Sequence, residues 1–525
     1  MEIYKLLNGI DFLVMGIYLI VLIGIGSWVS YRQKHNENLF LAQHSLGATS
    51  IGLTMWGTNV GPSMLIASCS IGYTTGIVAA NFSWYAFVFL FLLAFVFAPY
   101  YLQAKTSTLP EFIGTRFNQH SRELLAWYSL VTILVSWLGM TLYAGGILVT
   151  QIMNWPLWVS ITALVAISAF FTLTGGLKTV AHTNVFQMSL LIIASLTLVV
   201  FGVIKAGGVT AIYEGVPEGY WKLFLPADNP DYPFYAILLG YPVLGIWFWC
   251  TDQSMVQSVL AAKSLKHGRL GTATCGYLKI LDMFIFFLPG VICLILFPNL
   301  GNPDEAYMTL VSELLPHGLI GLIMTVLMAA LISTIASALN ALGTVFTLDV
   351  YQKRFRPEAS TKETIYIGRI VTVVGSFISI FLGLGIAKLQ GLDLFSLFQA
   401  ILGFLAPPLS AVFLVGVLWK RATSTGANAV LTFGTVASLG IGLCYLMHWP
   451  SEEAWPHFLF LSFLIFAGLC LFMIIVSLLT QTEGEVSPLP SLADTYRASG
   501  KVSAGVWTAW GILIVLMIGL YIFFN

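Results

Sequence analysis

Apolar stretches of about twenty residues recur along the whole chain, and each is long enough for a helix to cross a hydrocarbon core about 30 Å thick. Hydrophobic residues make up 58% of the 525 residues, and charged residues only 9%. That composition leaves too little polar side chain to cover the exterior of a soluble protein of this size. The alternating ten-residue segments of a membrane β-barrel are absent from the sequence. The sequence therefore predicts an all-α polytopic membrane protein.

The hydropathy pattern predicts about fourteen membrane-spanning helices. We expect them near residues 9–31, 49–76, 78–102, 121–151, 155–174, 181–207, 234–259, 268–297, 317–351, 365–387, 394–418, 424–447, 456–480 and 503–524.

The distribution of basic residues predicts the orientation of these spans. With the amino terminus outside, the inner loops collect all but five of the 23 Lys and Arg. Lys5, Lys205, Lys222 and Lys388 fall outside, and Lys279 lies within a span. Because basic loops are retained on the cytoplasmic side, we expect both termini outside and a location in the plasma (cytoplasmic) membrane.

Two predicted spans are interrupted by glycine and proline. The stretch MWGTNVGPSML puts Gly61 and Pro62 inside the second span, and ILLGYPVLG puts Gly240 and Pro242 inside the span near 234–259. Proline removes a backbone donor and disfavours helix in the residue before it, so we expect the chain to unwind at both places. A plain proline kink is the alternative. Interruptions at matching positions of two halves are typical of secondary transporters with inverted repeats and a midplane site.

Each interruption opens a block of five predicted spans, so we expect a five-plus-five inverted-repeat core. The expected division is an extra span with an inner loop at 1–48, the two repeats at 49–207 and 234–421, an outer loop at 208–233, and three C-terminal spans at 422–525 with an inner linker at 480–502.

The stretch AALISTIASALNALGTVFTLDVY (329–351) carries a polar stripe through an apolar helix. Its members recur at three- and four-residue spacing and share one helix face: Ser333, Ser337, Asn340, Thr344 and Thr347. Such a stripe either lets helices pack closely or supplies oxygen ligands to a sodium ion without a carboxylate. The unwound stretch 57–62 would offer backbone carbonyls to the same ion.

The stretch WFWCTDQSMVQSVLAAKSLKHGRLGTATCGYLK (247–279) resembles the signature region of the sodium–glucose cotransporter branch of the sodium/solute symporter family. Further matches are LPEFIGTRF (109–117), TGGLKTV (174–180), the 329–351 stretch and FLAPPLSAVFLVGVLWKR (404–421). The resemblance covers about residues 10–420. It implies fourteen spans around an inverted-repeat core and sodium-coupled uptake of a sugar or related solute by alternating access.

The resemblance also implies sodium ligands by position: the carbonyls of Gly57, Val60 and Ala330 and the hydroxyls of Ser333 and Thr334. Some members of the family bind a second sodium through an acid and a further hydroxyl. The matching positions here are Asn184 and Ala336. We therefore expect one sodium ion per transport cycle.

The family's substrate positions fall on Asn59, Met64, Ser83, Gly245, Trp249, Lys279 and Gln399, and its gate positions on Phe82 and Phe395 (outer) and Phe248 (inner). Ser83 stands where a sugar-binding glutamate is expected. Met64 and Gly245 also replace polar residues of the family pattern. Because the pocket has lost its carboxylate, glucose or galactose does not follow as the substrate.

The stretch GYLKILDMFIFFLPGV (276–291) places Lys279 and Asp282 in an apolar run. A charge near the bilayer centre costs roughly 3 kcal/mol on insertion scales, so Lys279 needs a partner. Asp282 at i+3 can reach it as an ion-pair partner. Alternatively, Lys279 meets an anionic group of the substrate, as in an acidic sugar or another organic anion.

Two acids, Asp252 and Asp349, lie at predicted inner ends of spans, where we expect pairing with Lys or Arg.

Other functions are less well supported by the sequence. The sequence has no HExxH, CxxC or phosphate-binding glycine loop, so we do not expect ATP-driven transport by this chain. A membrane-embedded enzyme would need acids or histidines clustered at one interface, and Glu111, Asp349 and His267 are scattered among separate loops, so we expect no enzymatic activity. A membrane-embedded enzyme or a channel stays a remoter alternative. We expect sodium, a small solute and lipid as partners, and no nucleic acid.

Overall fold

The computed structural model describes residues 7–32, 42–387, 394–481 and 492–525, together with Lys5. The side chains of 394–401 lie outside the described part, so the predicted roles of Phe395 and Gln399 fall outside it as well. Most of the predicted inner linker at 480–502 also falls outside. The described residues are almost all helical and contain no β-strand beyond two isolated bridges.

Fifteen helices of the described chain form the bundle. They are α1 (Gly9–Arg32), α2 (Ala48–Asn59), α3 (Pro62–Thr74), α4 (Val78–Gln103), α5 (Gln119–Met153), α6 (Leu157–Thr174), α7 (Gly176–Lys205), α8 (Phe234–Thr251), α9 (Leu265–Leu296), α10 (Leu319–Phe355), α11 (Thr361–Ile386), α12 (Leu394–Leu418), α13 (Ser424–Leu446), α14 (Phe458–Thr480) and α15 (Ala504–Phe523). Shorter helices lie at Leu109–Arg116, Val209–Glu214, Gln253–Leu260, Ala306–Leu314 and Leu492–Ala498.

Twelve of the described helices are long and apolar enough to cross a membrane, so the chain is a multi-pass membrane protein. The predicted count of about fourteen stays a prediction. Two predicted spans fall short of that criterion for different reasons. The second span is divided into α2 and α3, whose 12 and 13 residues are each too short to cross the membrane alone. In α12, the described apolar stretch is limited to Leu402–Leu418.

The predicted unwinding of the second span is confirmed. Val60 (φ −83°, ψ 103°) and Gly61 (φ −113°, ψ 159°) have extended backbone, and α3 then begins at Pro62. Pro62 has no N–H to donate and disfavours helix at Gly61, which explains why the break falls there.

The second predicted break is wrong in its position. The helix α8 continues through Gly240 and Pro242, and the chain leaves helical conformation only at Asp252 (φ −88°, ψ 129°). Gly240 instead allows close packing, since a Cβ there would lie 2.1 Å from the carbonyl oxygen of Leu459. The interruption at Asp252 is stabilised by its own side chain, which accepts backbone N–H groups at the start of the helix Gln253–Leu260.

The helix α10 forms the centre of the bundle and packs along α6 and α7, with α1 and α2 beside it. In the most apolar stretch of α10, 89% of the residues are buried inside the protein. The corresponding share is 28% in α1, α13 and α14 and 22% in α15. A helix buried on all sides that also carries a polar stripe must satisfy those polar groups inside the protein. The polar stripe of α10 therefore belongs to the interior and not to a lipid-facing surface.

The start of α10 is held by Asp11 of α1. Its Oδ1 accepts the backbone N–H groups of Gly318 at 2.6 Å and Gly321 at 2.9 Å. Its Oδ2 lies 3.1 Å from Nδ1 of His317. A Cβ on Gly321 would lie 2.6 Å from the Cα of Asp11, so only glycine permits this approach. Asp11 thus caps the helix that carries the polar stripe.

The two acids expected to pair with basic residues have different partners. Asp349 forms a buried ion pair with Arg122, with Nη2–Oδ1 and Nε–Oδ1 distances of 2.6 and 2.7 Å, which confirms its predicted pairing. For Asp252 the prediction is wrong. Within the described ranges it forms no ion pair with Lys or Arg; it accepts the two helix N–H groups and the indole N–H of Trp137, which donates to Oδ2 at 3.1 Å.

Candidate functional site

Lys279 and Asp282 form an ion pair inside the bundle. The Nζ of Lys279 lies 2.6 Å from Oδ2 of Asp282 and also donates to Oδ1 of Asn59. The second carboxylate oxygen of Asp282, Oδ1, accepts the indole N–H of Trp56 at 2.7 Å. Lys279 is 1% exposed and Asp282 is fully buried. The pair is therefore charge-matched and hydrogen-bonded on both sides, as a buried ion pair requires.

The fold brings these four side chains together from two helices. Trp56 and Asn59 lie on the last turn of α2, immediately before the unwound residues. Lys279 and Asp282 lie three residues apart on α9, where Asp282 directly precedes a π-helical turn at Met283–Phe287. Such turns are frequent at functional sites. The polar network thus joins the broken helix to α9.

An aromatic cluster from α8 lies beside the ion pair. The ring of Trp249 is 5.4 Å from the Lys279 ammonium, within the range of a cation–π contact. Phe248, the predicted inner gate, packs against Trp249 and Trp137 with ring-centroid distances of 4.9 and 5.4 Å. The structure therefore places Trp249 and Lys279 at one location, and Phe248 next to them.

The predicted outer gate residue Phe82 packs against an aromatic residue that was not predicted from the sequence, Tyr241. Its ring packs edge-on against Tyr241 at a centroid distance of 5.2 Å, and the Tyr241 hydroxyl donates to the Phe82 carbonyl. Tyr241 also contacts Tyr85 and Phe89. These contacts connect α4 to α8 around Phe82.

Three substrate positions that depart from the family pattern are also placed. Ser83 of α4 is fully buried, and its hydroxyl has no partner in the part of the chain that the structure describes. The neighbouring Trp84 donates to the carbonyl of Ile280, which holds this part of α4 against α9. Gly245 lies against the ring of Phe89, which a Cβ would approach to 2.3 Å. Met64 is half-buried on α3 and packs against the hydrophobic core.

A cluster of neutral oxygens lies where α10 meets the end of α2. The Oγ of Ser333 is 3.5 Å from the carbonyl oxygen of Gly57. The Oγ1 of Thr334 donates to the carbonyls of Thr58 at 3.3 Å and Ala330 at 3.1 Å. The structure thus brings together every predicted cation ligand except Val60, which is buried and follows α2 directly in extended conformation.

Asn184 of α7 contacts this cluster, and the contact was not predicted. Its Oδ1 accepts the hydroxyl of Ser333 at 2.6 Å, and its buried Nδ2 has no partner among the described residues. Ala336 presents only its carbonyl, to Thr172 at 3.2 Å. The described residues contain no group of three or more His, Cys, Asp or Glu able to hold a metal ion. Hydroxyl, carbonyl and amide oxygens without a carboxylate suit a hard monovalent cation better than a divalent one.

Two further members of the polar stripe of α10 form hydrogen bonds to neighbouring segments. Ser337, one turn after Ser333, accepts a hydrogen bond from Thr58 of α2 at 3.0 Å. Further along, Thr344 accepts one from Gln257 at 2.8 Å. The stripe therefore packs α10 against both interrupted segments, which is the structural role considered for it, and also supplies the oxygens of the cluster.

Two site residues could not be identified from the sequence. Trp56 lies 226 residues from Asp282 and Tyr241 lies 159 from Phe82, so only the tertiary fold reveals either contact. A weak signal existed for each. Trp56 precedes the break in the second span, Tyr241 stands between Gly240 and Pro242, and buried Trp and Tyr need a partner for their polar atom.

Comparison with known proteins gives consistent matches along most of the chain. The profile of the Sodium:solute symporter family matches residues 39–434. Sodium/myo-inositol cotransporter 2 of Oryctolagus cuniculus is 31% identical over 526 residues, covering 90% of this chain and 77% of that protein. Sodium/glucose cotransporter 1 of Ovis aries is 30% identical over 534 residues, covering 92% of this chain and 80% of that protein.

Solved structures show the same fold. A Na+-coupled sialic acid symporter in a substrate-bound outward-open state superposes with a TM-score of 0.80 at 18% identity, covering 92% of this chain and 100% of that one. Mhp1, a nucleobase-cation-symport-1 family transporter in a closed conformation, gives a TM-score of 0.54 at 15% identity, covering 91% of this chain and 99% of that one. At these identities the similarity concerns the fold alone.

Proposed function

The chain belongs to the sodium:solute symporter family, and from this premise we propose that it carries an uncharged, polyhydroxylated solute, a sugar or a cyclitol, across the membrane together with sodium. One observation supports this substrate class above all others: the buried ammonium of Lys279 is already neutralised by Asp282. The relatives named for glucose and myo-inositol support the same class.

The charge of the pocket separates a neutral substrate from an acidic one. An anionic solute that reached Lys279 would have to compete with Asp282 and leave that carboxylate buried without its cation, which is costly. A neutral polyol can instead exchange hydrogen bonds with Asn59 and stack an apolar ring face on Trp249. The acidic-sugar alternative is therefore not favoured.

Sodium would bind at the oxygen cluster between α2 and α10. The ligands would be the carbonyls of Gly57, Val60 and Ala330 and the hydroxyls of Ser333 and Thr334. Gly57 is two residues from Asn59, which accepts from Lys279. An ion held there would fix the end of α2 that also serves the substrate pocket, which links the two binding events. With Asn184 in place of an acid, we propose one sodium per cycle.

Alternating access would move the repeats 49–207 and 234–421 around this site. Phe82 and Phe395 would close the outer side and Phe248 the inner side. Both termini would lie outside the plasma membrane, as the distribution of basic residues indicates. The protein would act as a carrier without enzymatic activity, consistent with relatives that are named as cotransporters.

The first test is thermal stability of the purified protein in sodium and in potassium, with glucose, galactose, myo-inositol and glucuronate. A ligand at 100 times its dissociation constant stabilises by about 2.7 kcal/mol. We expect stabilisation by a neutral member of this set in sodium only. Equal stabilisation in both salts would refute the coupling, and none with any neutral compound would refute the substrate class.

A further inference from the structure

We propose that Asp282 determines the charge selectivity of the pocket, and that removing its negative charge converts the site from one that rejects anionic solutes into one that binds them. The proposal rests on the proposed function and extends it by naming the residue that selects the substrate's charge.

The carboxylate of Asp282 is held in a fixed position. Both oxygens of Asp282 are engaged, Oδ2 by Lys279 and Oδ1 by Trp56. Trp56 is itself fully buried and stacks on Phe286 at a centroid distance of 6.4 Å with nearly parallel rings. Asp282 therefore cannot turn away from Lys279 without leaving a buried indole N–H unpaired, and it acts as a permanent counter-charge.

The charges around the ion pair balance each other. In the described part of the chain, the other hydrogen-bond and cation–π partners of the pair are the amide of Asn59, the indole of Trp56 and the ring of Trp249, all of them neutral. Among the described residues, no further acidic or basic side chain forms an ion pair with Lys279 or Asp282. One positive and one negative charge thus cancel, and the pocket is neutral only as long as both are present.

Removing one of the two charges would leave the other uncompensated. Asp282→Asn keeps the shape of the side chain and an oxygen that can accept from Trp56, but it leaves the Lys279 ammonium buried without a counter-charge. Such an uncompensated charge is strongly unfavourable. A solute carboxylate that reaches Lys279 supplies the missing charge. The variant should therefore gain affinity for anionic solutes that the native pocket rejects.

The experiment compares matched pairs of neutral and anionic sugars on the full-length purified protein. Glucose is paired with glucuronate, galactose with galacturonate, and myo-inositol serves as a second neutral probe. Binding is measured by thermal shift in sodium. For the native protein we expect uronates to bind at least about tenfold more weakly than the best neutral probe. For Asp282→Asn we expect uronate affinity to rise about tenfold or more, because one hydrogen bond to a charged group changes a dissociation constant by about that factor.

Two control variants accompany Asp282→Asn. Asp304→Asn removes an exposed carboxylate that lies beyond the end of α9, and should leave the selectivity unchanged. The double variant Lys279→Gln/Asp282→Asn removes both charges, so it leaves no buried ammonium and should not gain uronate affinity. If the double variant gains the same uronate affinity as Asp282→Asn, the freed ammonium is not the cause and the proposal is wrong.

The outcomes separate this proposal from the proposed function. Sodium-dependent binding of neutral sugars with unchanged selectivity in a folded Asp282→Asn would overturn the role of Asp282 and leave the symporter intact. If Asp282→Asn does not fold, the native protein still decides, because glucuronate or galacturonate binding as tightly as its neutral partner would overturn the proposal. Absence of any sodium-dependent binding of a neutral probe would overturn the proposed function and this inference together.

Discussion

The indole N–H of Trp56 donates to Oδ1 of Asp282 at 2.7 Å, across 226 residues of sequence. The contact joins the last turn of α2 to α9. On the same short helix, the carbonyl of Gly57 faces Ser333 of α10. The end of α2 therefore belongs to the buried ion pair and to the oxygen cluster at once, and a displacement of this turn would change both.

Removing the indole N–H should weaken the ion pair. In Trp56→Phe the ring is kept but Oδ1 of Asp282 loses its donor, and an unsatisfied buried acceptor costs about 1–3 kcal/mol. We expect a lower unfolding temperature and weaker substrate binding, measured by thermal unfolding and by the concentration for half-maximal uptake. Trp127→Phe, on an exposed face of α5, is the matched control. Equal effects of the two substitutions would contradict the role of the hydrogen bond.

Ser333→Ala should weaken sodium binding more than substrate binding. The change removes one hydroxyl from the oxygen cluster, and we expect the sodium concentration for half-maximal uptake to rise about tenfold, as for the loss of one favourable polar contact. Ser462 on α14 is another buried serine, with no hydrogen-bond partner among the described residues. Ser462→Ala serves as the control. A sodium dependence unchanged in Ser333→Ala would place the ion elsewhere.

Asp11→Ala should destabilise the start of α10. The substitution removes the acceptor of two backbone N–H groups, those of Gly318 and Gly321, and we expect a loss of about 1–3 kcal/mol in the free energy of unfolding. Denaturant or thermal unfolding measures it. Asp11→Asn keeps one acceptor oxygen and should lose less. If both variants unfold like the native protein, Asp11 does not hold this helix.

Arg122 and Asp349 should behave as a coupled pair. Removing Arg122 leaves the buried Asp349 carboxylate uncompensated, so Arg122→Gln should cost about 3–5 kcal/mol of stability. Asp349→Asn should cost less, because Arg122 keeps a second acidic partner in Glu111, whose Oε1 lies 3.9 Å from its Nη1. The double variant should cost less than the sum of the two single variants. Thermal unfolding of the four proteins in the cycle measures the coupling. Strict additivity would show that the 2.6 Å contact contributes nothing specific.

His457 should make stability depend on pH. It lies just before α14, where burial lowers its pKa from the ordinary value of 6.5. Its Nε2 lies 3.0 Å from the carbonyl oxygen of Asp231. Its Nδ1 accepts the N–H of Leu459. The folded state thus favours neutral imidazole, and the unfolded state protonates first as the pH falls. We therefore expect the contribution of His457 to stability to be complete above about pH 6.5, the ordinary pKa of histidine, and to be lost progressively as the pH falls below it.

Unfolding temperatures recorded as the pH is lowered from neutrality measure this loss. His457→Gln removes the titrating group and should flatten the part of the curve that His457 contributes. An unchanged curve in His457→Gln would assign the pH dependence to another group.

Local chemistry explains which features could be predicted from the sequence. The break at Gly61 follows from the missing N–H of Pro62, and the pairing of Lys279 with Asp282 follows from their i, i+3 spacing. Contacts between distant parts of the chain, such as Trp56 with Asp282, depend on how α2 packs against α9. No periodicity or spacing in the sequence contains that information.

The position of the second break shows the same limit. Pro242 is the stronger sequence signal, yet α8 passes through it, and the chain unwinds at Asp252, whose carboxylate caps the next helix. The capping residue was visible in the sequence as an acid beside a span end. Its preference for capping over pairing with a basic residue was decided by the tertiary fold.

The most direct test of sodium-coupled transport of a neutral solute is uptake into proteoliposomes. Radiolabelled glucose and myo-inositol are supplied with an inward sodium gradient, with an equal potassium gradient, or with no gradient. We predict saturable accumulation of one of these compounds above equilibrium, driven by the sodium gradient alone. Equal uptake in sodium and potassium, or equilibration without accumulation, would contradict it.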